Sequence, residues 1–362
     1  MAQPPIKGRG TTLRMPGRFE SRDTARVDDG WGTVEEELPP LETIVTAEPA
    51  RSIISHNQSP DIGFGSSINP YKGCEHGCIY CYARPSHAYL NLSPGLDFET
   101  RIFYKPNAAE LLERELRKPG YRPSFIALGA NTDPYQPVER RLQVTRGILE
   151  VLERFRHPVG IITKGAALVE RDLDLLARMA QQRLVGVGIT LTTLRPELKR
   201  TLEPRASSPQ ARLRVMRRLK EAGVPVRVMF SPVIPCVNDD ELEQVLEAAA
   251  EAGASSASYV LLRLPYELKD LFREWLDAHL PLRAAHVMSL INQSRGGKDY
   301  QSGFGTRMRG TGQFADLIAQ RFALARRRYG LDRAGESLTA AAFRVPPAVG
   351  DQIGLFGESE ND

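Results

Sequence analysis

The feature that most constrains the fold is an alternation between short β-branched apolar runs and longer segments with helical periodicity. The predicted strands are Ser66–Asn69, Phe125–Leu128, Val159–Thr163, Val185–Leu191, Val226–Ser231 and Ser256–Leu262. Because helices fall between them, the strands are expected to be parallel with right-handed crossovers. The sequence therefore predicts an α/β fold, a partial TIM-type (β/α)6 barrel, in which ligands bind at the C-terminal ends of the strands.

Helix starts are recognisable at three positions. The predicted helices are Asn107–Arg117, Pro209–Ala222 and Asp239–Ala252. Asn107 stands three residues before a glutamate, which is the pattern of a capping box. Ser208 precedes a proline and is expected to cap its helix, and Asn238 is expected to do the same for the third.

The chain outside this alternation is rich in proline, glycine and acidic residues. Such segments bury little apolar surface to offset the entropy of ordering. We therefore predict a largely disordered extension over residues 1–60, with one short strand at Glu42–Thr46, and a flexible tail over residues 345–362. Residues 61–280 are predicted to form the barrel core, and residues 281–344 a basic extension of it.

The first residues lack the apolar segment of a signal peptide, and no apolar stretch is long enough to span a membrane. We therefore expect a cytoplasmic protein without a membrane partner, in which thiols stay reduced. The net charge of +4 is mild and does not by itself indicate nucleic-acid binding.

Three cysteines, Cys74, Cys78 and Cys81, form a C-x3-C-x2-C pattern directly after the first predicted strand of the barrel. Three thiolates can hold three irons of a [4Fe–4S] cluster and leave the fourth iron open. An open metal position is typical of catalytic sites. The pattern therefore predicts a catalytic cluster at the ligand-binding end of the barrel.

The alternative is a structural zinc site with His76 or His87 as the fourth ligand. Zinc knuckles usually combine one C-x2-C pair with a second ligand pair elsewhere. Here the remaining cysteine, Cys236, is far away in the sequence, and His76 lies inside the loop itself. The sequence favours the cluster over zinc.

The cysteine spacing, with Tyr80 directly before the last cysteine, resembles the signature of the radical S-adenosylmethionine (SAM) superfamily. The resemblance implies an enzyme with a [4Fe–4S] cluster and SAM as cofactors, and an electron donor of the flavodoxin or ferredoxin type. In that superfamily the open iron binds SAM, and one electron cleaves it to methionine and a 5′-deoxyadenosyl radical.

From about residue 50 to 330 the chain resembles more narrowly the spore-photoproduct-lyase-like, DNA-repair-photolyase-related group. That resemblance places Tyr80 near SAM and Tyr82 on a path of hydrogen transfer. The implied SAM contacts at the strand ends are Asn131, Thr132 and Asp133 for the amino group, Lys164 for the carboxylate, Thr190 and Thr192 for the ribose, and Ser231. The radical-quenching cysteine of the lyase has no counterpart in the loop before Asn131, so the lyase chemistry does not carry over.

Cys236 follows the fifth predicted strand. A free cysteine usually packs like a small hydrophobic residue, and we expect this role here. The alternative is a hydrogen-atom donor or a ligand near the radical.

Residues 283–328 contain nine basic residues against Asp299 and Asp316. The loop Arg295–Arg309 combines arginines, glycines and aromatic residues, which suits contacts with phosphates and bases. A role as scaffold is equally consistent with the sequence. A helical stripe after this loop is predicted to pack in the core: Phe314, Leu317, Ile318 and Phe322.

The segment Gln352–Phe356 resembles the peptide with which bacterial repair and replication proteins bind the DNA sliding clamp. These features together predict a radical SAM enzyme that abstracts hydrogen from nucleic acid, in repair or modification. The alternatives are a radical SAM enzyme acting on a peptide or small metabolite, and a nucleic-acid-binding protein with a structural cluster or zinc.

Overall fold

The computed structural model describes residues 6, 8–11, 15–19, 42–333 and 337–347. The strands are β1 (Ile44–Ala47), β2 (Ile54–His56), β3 (Ser66–Ile68), β4 (Tyr71–Lys72), β5 (Arg101–Tyr104), β6 (Ile126–Leu128), β7 (Val159–Thr163), β8 (Val185–Thr190), β9 (Val226–Val233) and β10 (Ser256–Leu261).

The α-helices are α1 (Leu96–Thr100), α2 (Ala108–Leu116), α3 (Glu139–Leu142), α4 (Val144–Arg154), α5 (Ala167–Arg171), α6 (Leu173–Gln181), α7 (Pro196–Leu202), α8 (Pro209–Glu221), α9 (Leu242–Glu251), α10 (Leu268–His279), α11 (Ala284–Gln293) and α12 (Gln313–Arg328). Short 3-10 helices span Arg84–Leu90 and Asp239–Glu241. None of the helices in the described part of the chain combines the length and apolar character that a membrane crossing requires.

The main sheet has the strand order β10-β9-β8-β7-β6-β3-β2. Strands β3 and β6 to β10 run parallel to their neighbours, and β2 is an antiparallel edge strand. The predicted α/β architecture with six parallel barrel strands is therefore confirmed. Two strands, β1 and β2, lie within the first 60 residues, where the sequence predicted only one.

The apolar faces that predicted these elements form one continuous core. Ile161, Ile189 and Phe230 are fully buried on neighbouring strands, and Leu149 and Leu219 are buried on the helices α4 and α8. Each such side chain contributes roughly 1.5–3 kcal/mol relative to exposure in water. This core fixes the strand ends from which the site is built.

Of the three predicted helix caps, only Ser208 acts as one: its Oγ accepts a hydrogen bond from the third residue of α8. The amide group of Asn107 instead pairs with both backbone groups of Ala50, at 3.1 and 3.0 Å. Asn238 donates to the carbonyl of Thr192 at 2.7 Å and does not cap. The predicted caps at Asn107 and Asn238 are wrong because other backbone groups take their Oδ1 atoms: the N–H of Ala50 bonds to Asn107, and the N–H of Ile234 bonds to Asn238.

The basic extension ends in α12, which packs through the predicted apolar stripe. Ile318 and Phe322 are buried, and Phe314 packs partly buried against the same core. Leu317 is 50% exposed, so its assignment to the core is wrong. It lies one position outside the stripe that faces the sheet.

Candidate active site

A cavity of about 480 Å³ opens at the C-terminal ends of the barrel strands. This volume lies within the range of ligand pockets, roughly 300–1,000 Å³. Predicted site residues that line it are Cys74, Cys78, Cys81, Tyr80, Tyr82, Asn131, Thr132, Asp133, Lys164, Thr190 and Ser231. Thr192 and Cys236 do not line the cavity, although the sequence included both as candidates.

The loop with the three cysteines follows β4 and depends on two glycines with left-handed backbone. Gly73 has φ +77° and Gly77 has φ +67°. A Cβ atom at Gly77 would lie 2.8 Å from Glu99 Oε2, so only glycine allows this close approach. The resulting tight loop brings the side chains of Cys74, Cys78 and Cys81 to one cavity wall.

Burial raises the pKa of the Cys74 thiol well above its usual range and that of Cys78 to about 12. Without a bound cation these thiols are neutral, and metal binding would deprotonate them. This donor set, two buried thiols and the partly exposed Cys81, fits an iron–sulfur cluster, whose thiolates bind different irons.

A single zinc ion fits less well. Among the described residues, no three His, Cys, Asp or Glu side chains are grouped as they would be around one ion. His76 Nδ1 lies 3.2 Å from Asp133 Oδ2, and His87 Nε2 lies 3.0 Å from the Arg101 carbonyl. Both histidines that could have completed a zinc site therefore have other partners.

Asp133 is a fixed anion that joins two strand ends. Its carboxylate accepts hydrogen bonds from Thr163 Oγ1 at 2.6 Å and from the backbone N–H groups of Tyr135 and Lys164 at 2.9 and 2.7 Å. Burial alone would raise the pKa of Asp133, but His76 and these hydrogen bonds lower it to about 2. Both carboxylate oxygens are thus occupied by the protein itself.

The neighbours of Asp133 differ in what they offer a ligand. Thr132 Oγ1 donates to the Tyr71 carbonyl at 2.8 Å and is engaged in the scaffold. The backbone N–H of Asn131 donates to Asn69, but the Asn131 side chain has no hydrogen-bond partner in the described part of the chain. Of the three predicted contacts of the second-strand loop, Asn131 is the one with an uncommitted side chain.

Lys164 presents an ammonium group to the cavity, with its Nζ 5.7 Å from the centroid of the Tyr80 ring. No carboxylate of the described residues lies within ion-pair distance of this group. Burial would lower the pKa of Lys164, but attraction by Cys78 when its thiol is ionised, and by Glu203, outweighs burial and raises it. Lys164 is therefore a charged group that is available to an anion.

Behind the cavity wall, a buried network holds Tyr80 in place. Glu203 accepts hydrogen bonds from the Tyr80 hydroxyl and from Thr192 Oγ1, and pairs with Arg212. Arg212 also donates to the Thr190 carbonyl at 3.0 Å. Although burial opposes it, attraction by Arg212 and then Lys164 lowers the pKa of Glu203 to about 2.

This network explains why Thr192 does not reach the cavity. The Thr192 side chain is fully buried, and its hydroxyl donates a hydrogen bond to Glu203. The sequence pointed to neither Glu203 nor Arg212. Neither belongs to a short motif: Glu203 directly follows α7 and Arg212 lies in the first turn of α8, and charged residues at such positions usually face water.

The two candidate catalytic residues, Tyr82 and Cys236, lie in different places. Tyr82 is 47% exposed, lines the cavity, and donates its hydroxyl to the Ala130 carbonyl. Cys236 lies in a loop outside the cavity, and its carbonyl accepts a hydrogen bond from Arg283 at 3.4 Å. The structure brings Tyr82 together with the cysteine triplet and separates Cys236 from it.

The Arg295–Arg309 loop has a structural role at its two best-buried arginines. Arg295 is almost fully buried and donates to the carbonyls of Leu261 and Leu262 at 3.0 and 2.7 Å. Arg307 forms a bidentate ion pair with Asp61, at 2.7 and 2.5 Å. Met308 of this loop and Arg263 also line the cavity, and no sequence motif indicated either of them.

Comparison with known proteins places the chain in a family. Residues 68–249, half of the chain, match the model of the radical SAM superfamily. An uncharacterized protein of Mycobacterium bovis is 42% identical over 215 residues, which cover 59% of this chain and 63% of that protein. One of Methanocaldococcus jannaschii is 30% identical over 174 residues, covering 48% and 62%. The chain thus spans less than two thirds of these relatives.

Solved structures of spore photoproduct lyase have the same fold. The lyase in complex with a dinucleoside spore photoproduct has a TM-score of 0.56 at 14% identity, and 79% of each chain is covered. A mutant with AdoMet and the same kind of dinucleoside has a TM-score of 0.56 at 13% identity, again over 79% of each chain.

The fold and the cysteine-lined cavity define a partial α/β barrel with a site at its strand ends. The chain belongs to the radical SAM superfamily. Membership in this superfamily supports an enzyme that uses a [4Fe–4S] cluster and SAM. This assignment favours a catalytic site over a purely structural metal site.

Proposed function

We propose that Cys74, Cys78 and Cys81 hold the cluster and that SAM binds beside it in the same cavity. One observation carries this proposal: three thiols, an ammonium group without a carboxylate partner and polar strand ends line a single cavity. When bound, the cluster supplies the electron that cleaves SAM to methionine and a 5′-deoxyadenosyl radical, which abstracts hydrogen from the substrate.

The chain's own residues bind and orient SAM. Lys164 is suited to the carboxylate of SAM through a charge-assisted hydrogen bond. The free side chain of Asn131 is suited to the amino group, while Thr190 and Ser231 line the wall where the ribose would lie. Tyr80, fixed by its buried network, shields the site from water, which protects a reactive radical.

We further propose that the substrate is nucleic acid, in repair or modification. Tyr82, at 47% exposure, offers an aromatic face in the cavity lining, and Phe304, at 60% exposure, offers another in the Arg295–Arg309 loop. Such faces can stack on bases. The structures of similar fold include the lyase with its dinucleoside photoproduct, which supports this class of substrate.

Anaerobic reconstitution, reduction with dithionite and addition of SAM test the first proposal. We expect about one cluster per chain and formation of 5′-deoxyadenosine. A protein that takes up stoichiometric zinc and no iron under these conditions would contradict it.

The substrate class is tested by isotope transfer. With deuterated DNA or RNA present, deuterium is expected to appear in 5′-deoxyadenosine. Transfer from a deuterated peptide or metabolite pool, and none from nucleic acid, would instead support the alternative substrates.

Two partners follow from the same proposal. A flavodoxin or ferredoxin would supply the electron. The segment Gln352–Phe356 lies outside the described residues, and its binding to the sliding clamp is proposed from sequence alone: Gln352 would enter a polar notch, and Leu355 and Phe356 an apolar pocket. A tail peptide is expected to bind the host clamp with micromolar affinity, about −8 kcal/mol, and a Leu355→Ala/Phe356→Ala peptide is expected not to bind.

A further inference from the structure

Arg263 is a cation of the cavity wall that the SAM site does not use. It follows β10 by two residues and so lies at the C-terminal end of the last barrel strand. Its guanidinium carbon lies 5.5 Å from the centroid of the Tyr82 ring and 5.8 Å from that of Tyr300. The two rings hold the group in position at the mouth of the cavity.

The hydrogen-bond donors of Arg263 are poorly satisfied by the protein. Nη2 donates to the Tyr300 hydroxyl at 3.2 Å, and Nη1 lies 3.5 Å from Met308 Sδ, which is a weak acceptor. Nε is buried without a hydrogen-bond partner. A guanidinium has five N–H donors, and leaving a buried one unpaired is costly. The Arg263 guanidinium therefore has N–H donors available for a ligand acceptor, because the described residues do not provide one.

The charge of Arg263 is also not neutralised within the described part of the chain. The nearby arginines Arg273 and Arg307 pair with Asp299 and Asp61. Arg263 has no carboxylate within ion-pair distance among the described residues, although the neighbouring loops do carry acidic residues. It faces instead a second cation.

That second cation is Arg295, whose side chain donates only to backbone carbonyls. Burial and then repulsion by Arg263 lower the pKa of Arg295 to about 10. Two positive charges therefore lie close enough to repel each other, and of the two only Arg263 lines the cavity. An anion that enters the cavity would relieve this repulsion and accept the free donors at the same time.

We propose that Arg263 binds a phosphodiester of the substrate in the cavity, which rests on the proposed function of a radical SAM enzyme acting on nucleic acid. Arginine presents a planar fork that matches the oxygens of a phosphate. The exposed ring of Tyr82 beside it offers a stacking face for the adjoining base. Carboxylates share this oxygen chemistry, and the carboxylate of SAM is the other anion expected in the cavity.

Lys164 and Arg263 lie in different parts of the cavity wall, so each is expected to bind a different anion. Lys164 lies against the Tyr80 ring, where the SAM carboxylate is proposed to bind. Arg263 lies between Tyr82 and the loop that contains Tyr300 and Met308. The substrate phosphate is therefore assigned to Arg263 and the SAM carboxylate to Lys164.

The test uses the reconstituted full-length enzyme with SAM and two small probes. One is the dinucleotide thymidylyl-thymidine, and the other is its uncharged methylphosphonate analogue. The wild type is expected to bind the phosphodiester more tightly, and Arg263→Gln to lose about tenfold or more of that affinity. The methylphosphonate should be bound equally by both proteins.

Controls separate this effect from loss of charge and from misfolding. Arg327→Gln removes the same charge from an exposed position on α12 and is expected to change dinucleotide affinity less than about twofold. Arg263→Lys keeps the charge without the fork and should show an intermediate loss. If Arg263→Gln does not fold, as judged by iron content and thermal unfolding, the lysine variant carries the test.

Two results would overturn the assignment. One is equal affinity of the wild type for both probes, or no measurable binding of either. The other is a loss of SAM affinity in Arg263→Gln as large as the loss for the phosphodiester, which would place Arg263 in the SAM site. Formation of 5′-deoxyadenosine by the wild type is measured in parallel: its absence would refute the proposed function, whereas its presence with either result would refute only the role of Arg263.

Discussion

Lys164 and Arg212 both lower the pKa of Glu203, yet only Arg212 forms an ion pair with that carboxylate. Arg84 is likewise paired with Glu99, at 2.5 Å with both side chains fully buried. In the cavity wall, by contrast, Lys164 and Arg263 have no carboxylate partner among the described residues. The scaffold behind the cysteine loop neutralises its charges, and the cavity wall does not.

This difference follows from what a buried charge costs. A charge removed from water without a partner is destabilising by several kcal/mol, so a permanent scaffold needs a permanent counter-ion. A charged group in a cavity wall does not need a permanent counter-ion, because water solvates it until the ligand binds. Changes in the scaffold should therefore reduce stability, and changes in the cavity wall should reduce ligand binding.

The largest effect is expected for the cysteines of the cavity wall. Replacing Cys74, Cys78 or Cys81 by alanine should abolish both iron binding and 5′-deoxyadenosine formation, because each thiolate is proposed to hold one iron. Cys236→Ala is the matched control and should retain both, since it lies outside the cavity. Iron content and product assays measure the outcome. Loss of iron in Cys236→Ala would show that the cavity does not contain the whole ligand set.

The next effect concerns the scaffold pair. Glu203→Gln or Arg212→Met should each reduce the free energy of unfolding by about 3–5 kcal/mol, because each leaves one buried charge unpaired. The double variant should recover part of this loss. Urea unfolding of the four proteins measures it, with the exposed Glu197→Gln as control, expected within about 0.5 kcal/mol. If the single variants are as stable as the control, the pair does not stabilise the fold, and the difference proposed between scaffold and cavity wall is wrong.

A pH effect is expected at His157, at the opposite end of the barrel from the cavity. Tyr121 Oη lies 2.8 Å from its Nε2, and the Pro158 carbonyl 3.0 Å from its Nδ1. Burial lowers the pKa of His157 to about 4, because the folded protein favours the neutral ring.

The contribution of His157 to stability is fully present above its unfolded pKa of about 6.5 and is lost as pH falls toward 4. The loss should reach about 3 kcal/mol. Urea unfolding at several pH values measures it. His157→Gln should flatten the profile in this range relative to the wild type, whereas the exposed His286→Gln should not. The same slope in all three proteins would contradict the assignment.

The smallest effect is expected at Lys164. Lys164→Ala should weaken SAM binding by about 1.5–3 kcal/mol, the value of a charge-assisted hydrogen bond, with iron content unchanged. Its effect on unfolding should stay well below that of the scaffold variants. Equilibrium binding of SAM measures this, and the exposed Lys220→Ala is the control. Unchanged SAM affinity would remove Lys164 from the site.

Much of the fold could be predicted because its signals are local. Val159–Thr163 is a strand with the bounds that its β-branched residues indicate. The Ser208–Pro209 pair starts α8 as predicted, because a serine cap needs only the backbone of its own helix. The parallel order then follows from the alternation of strands and helices. The same order brings the polar strand ends, including Lys164 and Asn131, to the cavity with the cysteines.

The hydrogen-bond partners of the polar side chains, in contrast, were decided by the tertiary structure. Asn107 and Asn238 have the sequence context of helix caps, but each pairs with backbone groups more than 40 residues away. Thr192 alternates in phase with Thr190, yet Glu203 holds it in the scaffold.

The sequence by itself thus determined the six parallel barrel strands and the cysteine loop, since periodicity and turn residues act over a few positions. Only the tertiary structure decided which charged groups are neutralised and which remain available. Arg212 lies in the first turn of α8 and Arg263 follows β10, and neither sequence context predicts which arginine has a carboxylate partner. A buried carboxylate beside one, and none in the described residues beside the other, makes the first a part of the scaffold and leaves the second facing the cavity.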